Sequence, residues 1–209
     1  MLPSIERLTL AHVTAVPEWH PEHAAFEPFP VHAWVVRHPD GIILVDTGMG
    51  TGNQLIDEWY RPEVISLSDA LAPVGLEPAD IEAAVLSHLH FDHCGQQRML
   101  HAPVFVQATD HEEAQRPRYT VAAWGTIPAE RRRLLHGDEE IVAGHSPHRD
   151  ARSHPWTPVR RGPDARRASR VGCPVCVSGE RAVVRRAGSN EHSRRVLARR
   201  RPPLAVPDP

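Results

Sequence analysis

The sequence contains no lysine; all 24 of its Lys+Arg positions are arginine. That bias points to the base composition of the gene and says little about activity. Cysteine is scarce as well: Cys94, Cys173 and Cys176 are too few for a disulfide framework. No run of about 18 apolar residues occurs, so a membrane-spanning helix is not expected. Met1 to Leu10 does not join a basic start to a long apolar stretch, so a signal peptide is not expected either. The expected location is therefore the cytoplasm. The net charge of −2 is also an absence of sorts, because it conceals a division. Residues 1–144 carry 9 Arg against 21 Asp+Glu, whereas residues 145–209 carry 15 Arg against 5. A length of 209 residues suits one domain with a real core.

What is present centres on Ser87-His-Leu-His-Phe-Asp-His-Cys-Gly95. His88, His90, Asp92 and His93 fall within six residues, directly after the apolar run Ile81 to Leu86, which reads as a buried strand. Imidazole and carboxylate are the ligands that zinc-like ions take when they are to do chemistry. In an extended segment, His-x-His points two imidazoles the same way. The following Asp-His can then turn back to serve a second ion.

Several elements precede and follow this loop. Ile5 to Val13 can form an opening strand, and Pro17 to Pro30 reads as a loop. Val31–Arg37 and Ile42–Asp46 flank His38-Pro-Asp-Gly41, a turn in which Pro sets one dihedral and Gly allows positive φ, so a β-hairpin is expected. Leu67 to Leu71 is a short helical stretch, and Pro103 to Gln107 a short strand. Thr109 offers an N-cap to an acidic first turn beginning at Asp110. Strand–helix alternation of this kind implies α/β layers. His101, His111 and His136 have no ligand spacing and are expected at the surface.

His88-x-His90-x-Asp92-His93 resembles the H-x-H-x-D-H signature of the metallo-β-lactamase-fold hydrolases. Gly41-Ile-Ile-Leu-Val-Asp46-Thr47-Gly48, then Pro78-Ala-Asp-Ile81, then the histidine loop follow the order seen in the N-acyl-homoserine lactonase branch. The resemblance covers roughly residues 5 to 144. It implies an αββα sandwich of which residues 1–144 supply the N-terminal part. It implies two divalent ions, zinc by habit, with His88 and His90 on the first and Asp92 and His93 on the second. Such ions lower the pKa of a shared water and polarise a carbonyl, and Asp92 would orient the nucleophile and pass a proton to the leaving group. It implies that Asp46 orients the metal loop from beneath. Tyr119 and Trp124 fall where lactonase-like members place a lid, and so become candidate contacts for an acyl chain. Cys94 reads as a small buried neighbour of the ligands.

The family also needs a further His from a Thr-Pro-Gly-His segment, a bridging Asp and a last His, and the chain as written supplies none of these. From His145 to Pro209 there is no Ile, Phe, Tyr or Met, only two Leu, and nine Pro. Such a segment cannot bury enough surface to offset its ordering entropy and is expected to be disordered or non-native. Three readings compete for it: a basic arm for nucleic acid, half of a zinc knuckle at Cys173-Pro-Val-Cys176, or a wrong reading frame. The last is testable on paper. Synonymous codons for Arg149 to Val159, read one base later, encode Ala-Thr-Pro-Gly-His-Thr-Pro-Gly-His-Gln-Ser, which contains the missing segment. A one-base frameshift near codon 144 is therefore expected, in the gene or in its sequencing.

The expected function is metal-dependent hydrolysis of a small lactone or ester, impaired in this chain by the lost ligands. Glyoxalase II-like thioester hydrolysis is the alternative within the fold. A non-catalytic protein with a basic nucleic-acid-binding arm is the alternative outside it, although nucleic acid is not the favoured partner.

Overall fold

Alternating burial along the strands decides the architecture. In the computed structural model, residues 4–14, 28–39 and 41–143 are described, together with the backbone of strands at 156–160, 175–178 and 181–184. Strand β1 (Ser4–Val13) pairs antiparallel with β2 (Phe29–His38), and β2 pairs antiparallel with β3 (Gly41–Val45). The hairpin closes with His38 opposite Gly41, as the Pro-Asp-Gly turn requires. From β3 onward the sheet turns parallel: β5 (Ala83–Val85), β6 (Val104–Gln107) and β7 (Arg132–Leu135) follow side by side. With the short β4 (Glu63–Val64) at the far edge, the order is β4-β1-β2-β3-β5-β6-β7.

Parallel strands covered on both faces need apolar side chains at every position, and β3 and β5 have them. Leu44, Ala84, Val104 and Val106 face one core, which also takes Leu67, Leu71 and Leu89. Ile43, Val45, Ala83, Val85 and Phe105 face a second core, shared with Val36, Leu135 and Ile141. Ile141 comes from β8 (Glu139–Ala143), which belongs to a separate four-stranded sheet. In that sheet β8 lies between β9 (Trp156–Arg160) and β11 (Arg181–Val184), with β10 (Val175–Ser178) outermost. A mixed sheet with apolar cores on both faces is the architecture expected for the N-terminal part. Apart from those three strand backbones, the expectations for the 145–209 tail lie outside the described residues, as does most of the loop expected over 17–30.

The helices are short and locally encoded. Helix α1 (Gln54–Tyr60) begins at Asn53, whose side chain accepts the Ile56 amide; the sequence reading had no element here. In α2 (Leu67–Leu71), the Ser66 hydroxyl accepts the Asp69 amide and the helix buries Leu67 and Leu71. Helix α3 (Ala108–Glu113) starts straight from β6, so Gln107 takes the cap position. Thr109, expected to cap, lies inside the first turn; with no loop between strand and helix, its hydroxyl has no free end to cover. Helix α4 (Ala122–Gly125) buries Trp124. Among the described residues no helix is long and apolar enough to cross a membrane.

Phe105 is fully buried between β6 and the second core. Phe105→Ala is expected to cost about 3–5 kcal/mol, while exposed Leu134→Ala on the neighbouring strand should change stability by about 0.5 kcal/mol or less. Urea unfolding of the two variants measures the difference; equal costs would mean that this face is not sealed.

Candidate metal centre

The strands β3, β5 and β6 end side by side, and the loops leaving them build the site. After β5 the chain keeps pairing for one more residue, with the Leu86 amide donating to the Phe105 carbonyl at 2.9 Å. It then coils: the His93 and Cys94 amides both donate to the His90 carbonyl, at 3.0 and 3.3 Å. The coil sorts its side chains by polarity. Leu89 and Cys94 are fully buried in the core, which leaves His88, His90, Asp92 and His93 on the other side.

Asp46 fastens this loop from beneath. Its carboxylate accepts the Ser87 amide at 2.7 Å, the Ser87 hydroxyl at 2.9 Å and the His93 Nδ1 hydrogen at 2.9 Å. Asp46 is only 1% exposed and sits at φ 64, a left-handed conformation that Asp tolerates better than most residues. The backbone repeats the connection: the Asp46 amide donates to Val85, the Thr47 amide to His93 and the Gly95 amide to Gly48. The two loops touch so closely that a Cβ at Gly95 would lie 1.9 Å from the Gly50 nitrogen. At Gly48, with φ 64, a Cβ would lie 2.6 Å from the Leu10 side chain.

Ligand atoms of His88, Asp92 and His93 lie within 4.8 Å of one another, close enough for one ion to take all three. With His93 Nδ1 held by Asp46, its Nε2 faces Asp92 at 3.4 Å. His88 Nδ1 lies 3.0 Å from the Ser87 hydroxyl, which likewise leaves Nε2 outward. Fixing one ring nitrogen by a hydrogen bond is how proteins orient imidazole ligands, so these residues fit a divalent ion. His90 stands one step aside. Its ring centroid is 4.6 Å from that of His88 and 4.6 Å from that of Tyr119. The geometry brings His88 together with Asp92 and His93, with His90 beside His88.

The protonation states are poised unequally. Burial pushes His88 down to about 3, helped by the neighbouring His93 and His90, so its nitrogen is available to a metal at neutral pH. Burial opposes the charge on His93 too, but the hydrogen bonds that its ring donates to Asp46 and Asp92 outweigh it and hold His93 up at about 10. Burial would raise Asp92, yet its hydrogen bond with His93 prevails and keeps the carboxyl below the usual range. His90 is lowered, chiefly by burial. Burial raises the Cys94 thiol to about 12, so it stays protonated and is no thiolate ligand; its sulfur donates to the Leu89 and His90 carbonyls.

Beside the ligands opens a cleft of about 380 Å³ with mainly apolar walls, lined among others by Leu55, Trp59, Tyr60, Phe91 and Tyr119. Tyr119 thus stands between cleft and metal loop. Trp124 does not line it; the indole packs in the core against Gly50. The aromatics of α1 were missed in the sequence because nothing local links Trp59 to a loop some thirty residues later. His101 and His136 are exposed, while His111 is partly buried and has an Nδ1 without a hydrogen-bond partner. Asp110 was read as an acid suited to a helix start, yet its carboxylate accepts the Tyr119 hydroxyl.

A model of the metallo-beta-lactamase superfamily matches residues 26–160. An N-acyl homoserine lactonase of Bacillus thuringiensis is 31% identical over 129 residues, covering 55% of this chain and 51% of that protein. The N-acyl homoserine lactonase AiiB of Agrobacterium fabrum is 38% identical over 77 residues, 32% of this chain and 28% of that one. The chain spans about half the length of the curated relatives it matches. A solved N-acyl homoserine lactone hydrolase, with N-hexanoyl-L-homoserine at its catalytic metal centre, superimposes with a TM-score of 0.53 at 22% identity. That match covers 70% of this chain and 67% of the other. A probable metal-dependent hydrolase from Staphylococcus aureus gives 0.55 at 20% identity, over 68% and 62% of the two chains. The shared fold is what these superpositions establish.

Two outcomes follow from the geometry. Gly95→Ala must part the two loops, and is expected to cost about 1–3 kcal/mol and to weaken metal uptake as well; a variant of unchanged melting temperature would refute the close approach. The charged His93 stabilises the metal-free fold fully below pH 6.5, and this contribution is lost as pH rises toward about 10. His88 works oppositely, its contribution falling away as pH drops from 6.5 toward about 3. In chelator-treated protein the urea midpoint should therefore decline above pH 6.5, and His93→Gln should flatten that decline.

Proposed function

Because the chain belongs to the metallo-beta-lactamase superfamily, we propose that its site is that of a metal-dependent hydrolase which opens lactone rings of the N-acyl homoserine type. The observation that carries this reading is the convergence of His88, Asp92 and His93 beside an apolar cleft. His88, His90, Asp92 and His93 would hold two divalent ions, zinc by ligand chemistry. Bound there, the ions supply a water of lowered pKa and polarise the ester carbonyl.

The remaining steps fall to the chain's own groups. Asp92, whose carboxyl is held below the usual range, would accept a proton from the attacking water and return it to the departing alkoxide. His93 gives up its Nε2 proton to become a ligand, and Asp46 keeps its ring in place through Nδ1. Leu55, Trp59, Tyr60 and Phe91 offer an acyl chain an apolar wall, and Tyr119 closes it beside His90.

The same reading holds that this chain is impaired. A catalytic zinc ion takes about three protein ligands, and four from one loop leave a pair of ions short. The shift of one base that restores Thr-Pro-Gly-His, in shifted codons that begin within those of Asp150 to Ser153, also lets the codons of Gly172 and Cys173 encode aspartate, if GGA-TGC is read as GAT. Both residue types are those that the resemblance requires, and both come from a single shift. We therefore place a one-base frameshift near codon 144.

Resequencing the DNA across codons 135 to 165 tests this directly, and a missing or extra base is expected. The chain as given should take up some zinc, but less than one per protein, and hydrolyse N-hexanoyl homoserine lactone poorly, whereas the frame-restored product should bind two and turn over. Full turnover by the given chain would remove the impairment. A restored, zinc-loaded product inert toward lactones would remove the lactonase reading.

A further inference from the structure

Asp46 accounts for His88 and His93 through Ser87 and Nδ1, but among the described residues this network does not include the His90 imidazole. The opposite side of the loop supplies another carboxylate. Asp110, in the first turn of α3, accepts the Tyr119 hydroxyl at Oδ1. The Tyr119 ring in turn lies against the His90 imidazole, with centroids 4.6 Å apart and planes inclined by 43°. The Leu89 amide, one residue before His90, also faces the Asp110 carboxyl, and the charge of Asp110 acts on His90 itself. Asp110 Oδ2 is buried and has no hydrogen-bond partner among the described residues. A buried, unsatisfied carboxylate oxygen costs stability, so this carboxylate is poorly explained as a device for folding alone.

We propose that Asp110, acting through Tyr119, is the positioning residue for His90, as Asp46 is for His93. The two carboxylates then grip the metal loop from the ends of β3 and β6, on either side of the strand that carries it. Tyr119 spans the gap that Asp110 cannot reach alone: its hydroxyl is fixed by the carboxylate, and its ring face limits the rotation of the imidazole. The inference rests on the metal-site reading above and adds a residue that the signature motif does not contain.

The test is zinc affinity of the full chain, measured by competition with a chromogenic chelator, alongside circular dichroism and thermal melting. Asp110→Ala is expected to weaken zinc binding about 10- to 100-fold. Tyr119→Phe, which keeps the ring and loses the hydroxyl, should weaken it in the same direction. Combining the two should add little, because both act along one path. Asp110→Glu should recover part of the loss. Should Asp110→Ala fail to fold, the near-isosteric Asp110→Asn and Tyr119→Phe decide by the same criterion. Zinc affinity within twofold of the parent in folded variants overturns the inference and leaves the metal site standing. A parent chain that takes up no zinc overturns both.

Discussion

One buried carboxylate governs the site. Asp46 adopts a left-handed backbone conformation that costs an ordinary residue about 1–2 kcal/mol. It is nine-tenths and more out of water, where an unpaired charge could not persist. Three donors offset this, two from Ser87 and one from His93, and hydrogen bonds to a charged acceptor contribute about 1.5–3 kcal/mol each. Together they outweigh the cost of the left-handed conformer. The turn after β3 and the coil after β5 are therefore ordered together.

The electrostatics follow from that tie. Asp46 and Asp92 bracket His93 and raise it, while burial, helped by the neighbouring imidazoles, keeps His88 neutral. A ligand set in which one histidine holds a proton and another refuses it is tuned to exchange that proton for a metal ion, since both respond to positive charge at the same spot. The protonated thiol of Cys94 keeps sulfur out of this exchange and reserves its place for packing beneath the coil.

The metal loop was legible in the sequence because ligand chemistry is local: four side chains in six positions leave little freedom. The β2–β3 hairpin was legible through its Pro-Asp-Gly turn, and β5 through its largely apolar run. What escaped was set by neighbours distant in the chain. Asp110 looked like an acid suited to a helix start, and only the return of the chain at Tyr119 turns it toward His90. Gly95 looked like the end of a motif, and its demand for bare backbone arises from Gly50. Trp124 was read as a lid aromatic because aromatic side chains serve cores and clefts alike; its contact with Gly50 decides for the core. Thr109 failed as a cap because β6 enters α3 without an intervening turn.

The parallel run β3-β5-β6 has a consequence for how such a site can diversify. Neighbouring strands lie about 4.8 Å apart, so the three departing loops stand shoulder to shoulder, with the metal-binding one in the middle. Its grip depends on one residue from each neighbour, Asp46 and Asp110, and both sit close to where their strands end. Beyond those two anchor points the flanking segments, 51–60 on one side and 115–122 on the other, supply most of the cleft wall, and of their lining residues Tyr119 also belongs to the clasp. Substrate range can thus drift by exchange of the outer segments while the inner clasp stays as it is, a separation of chemistry from selectivity written into strand order.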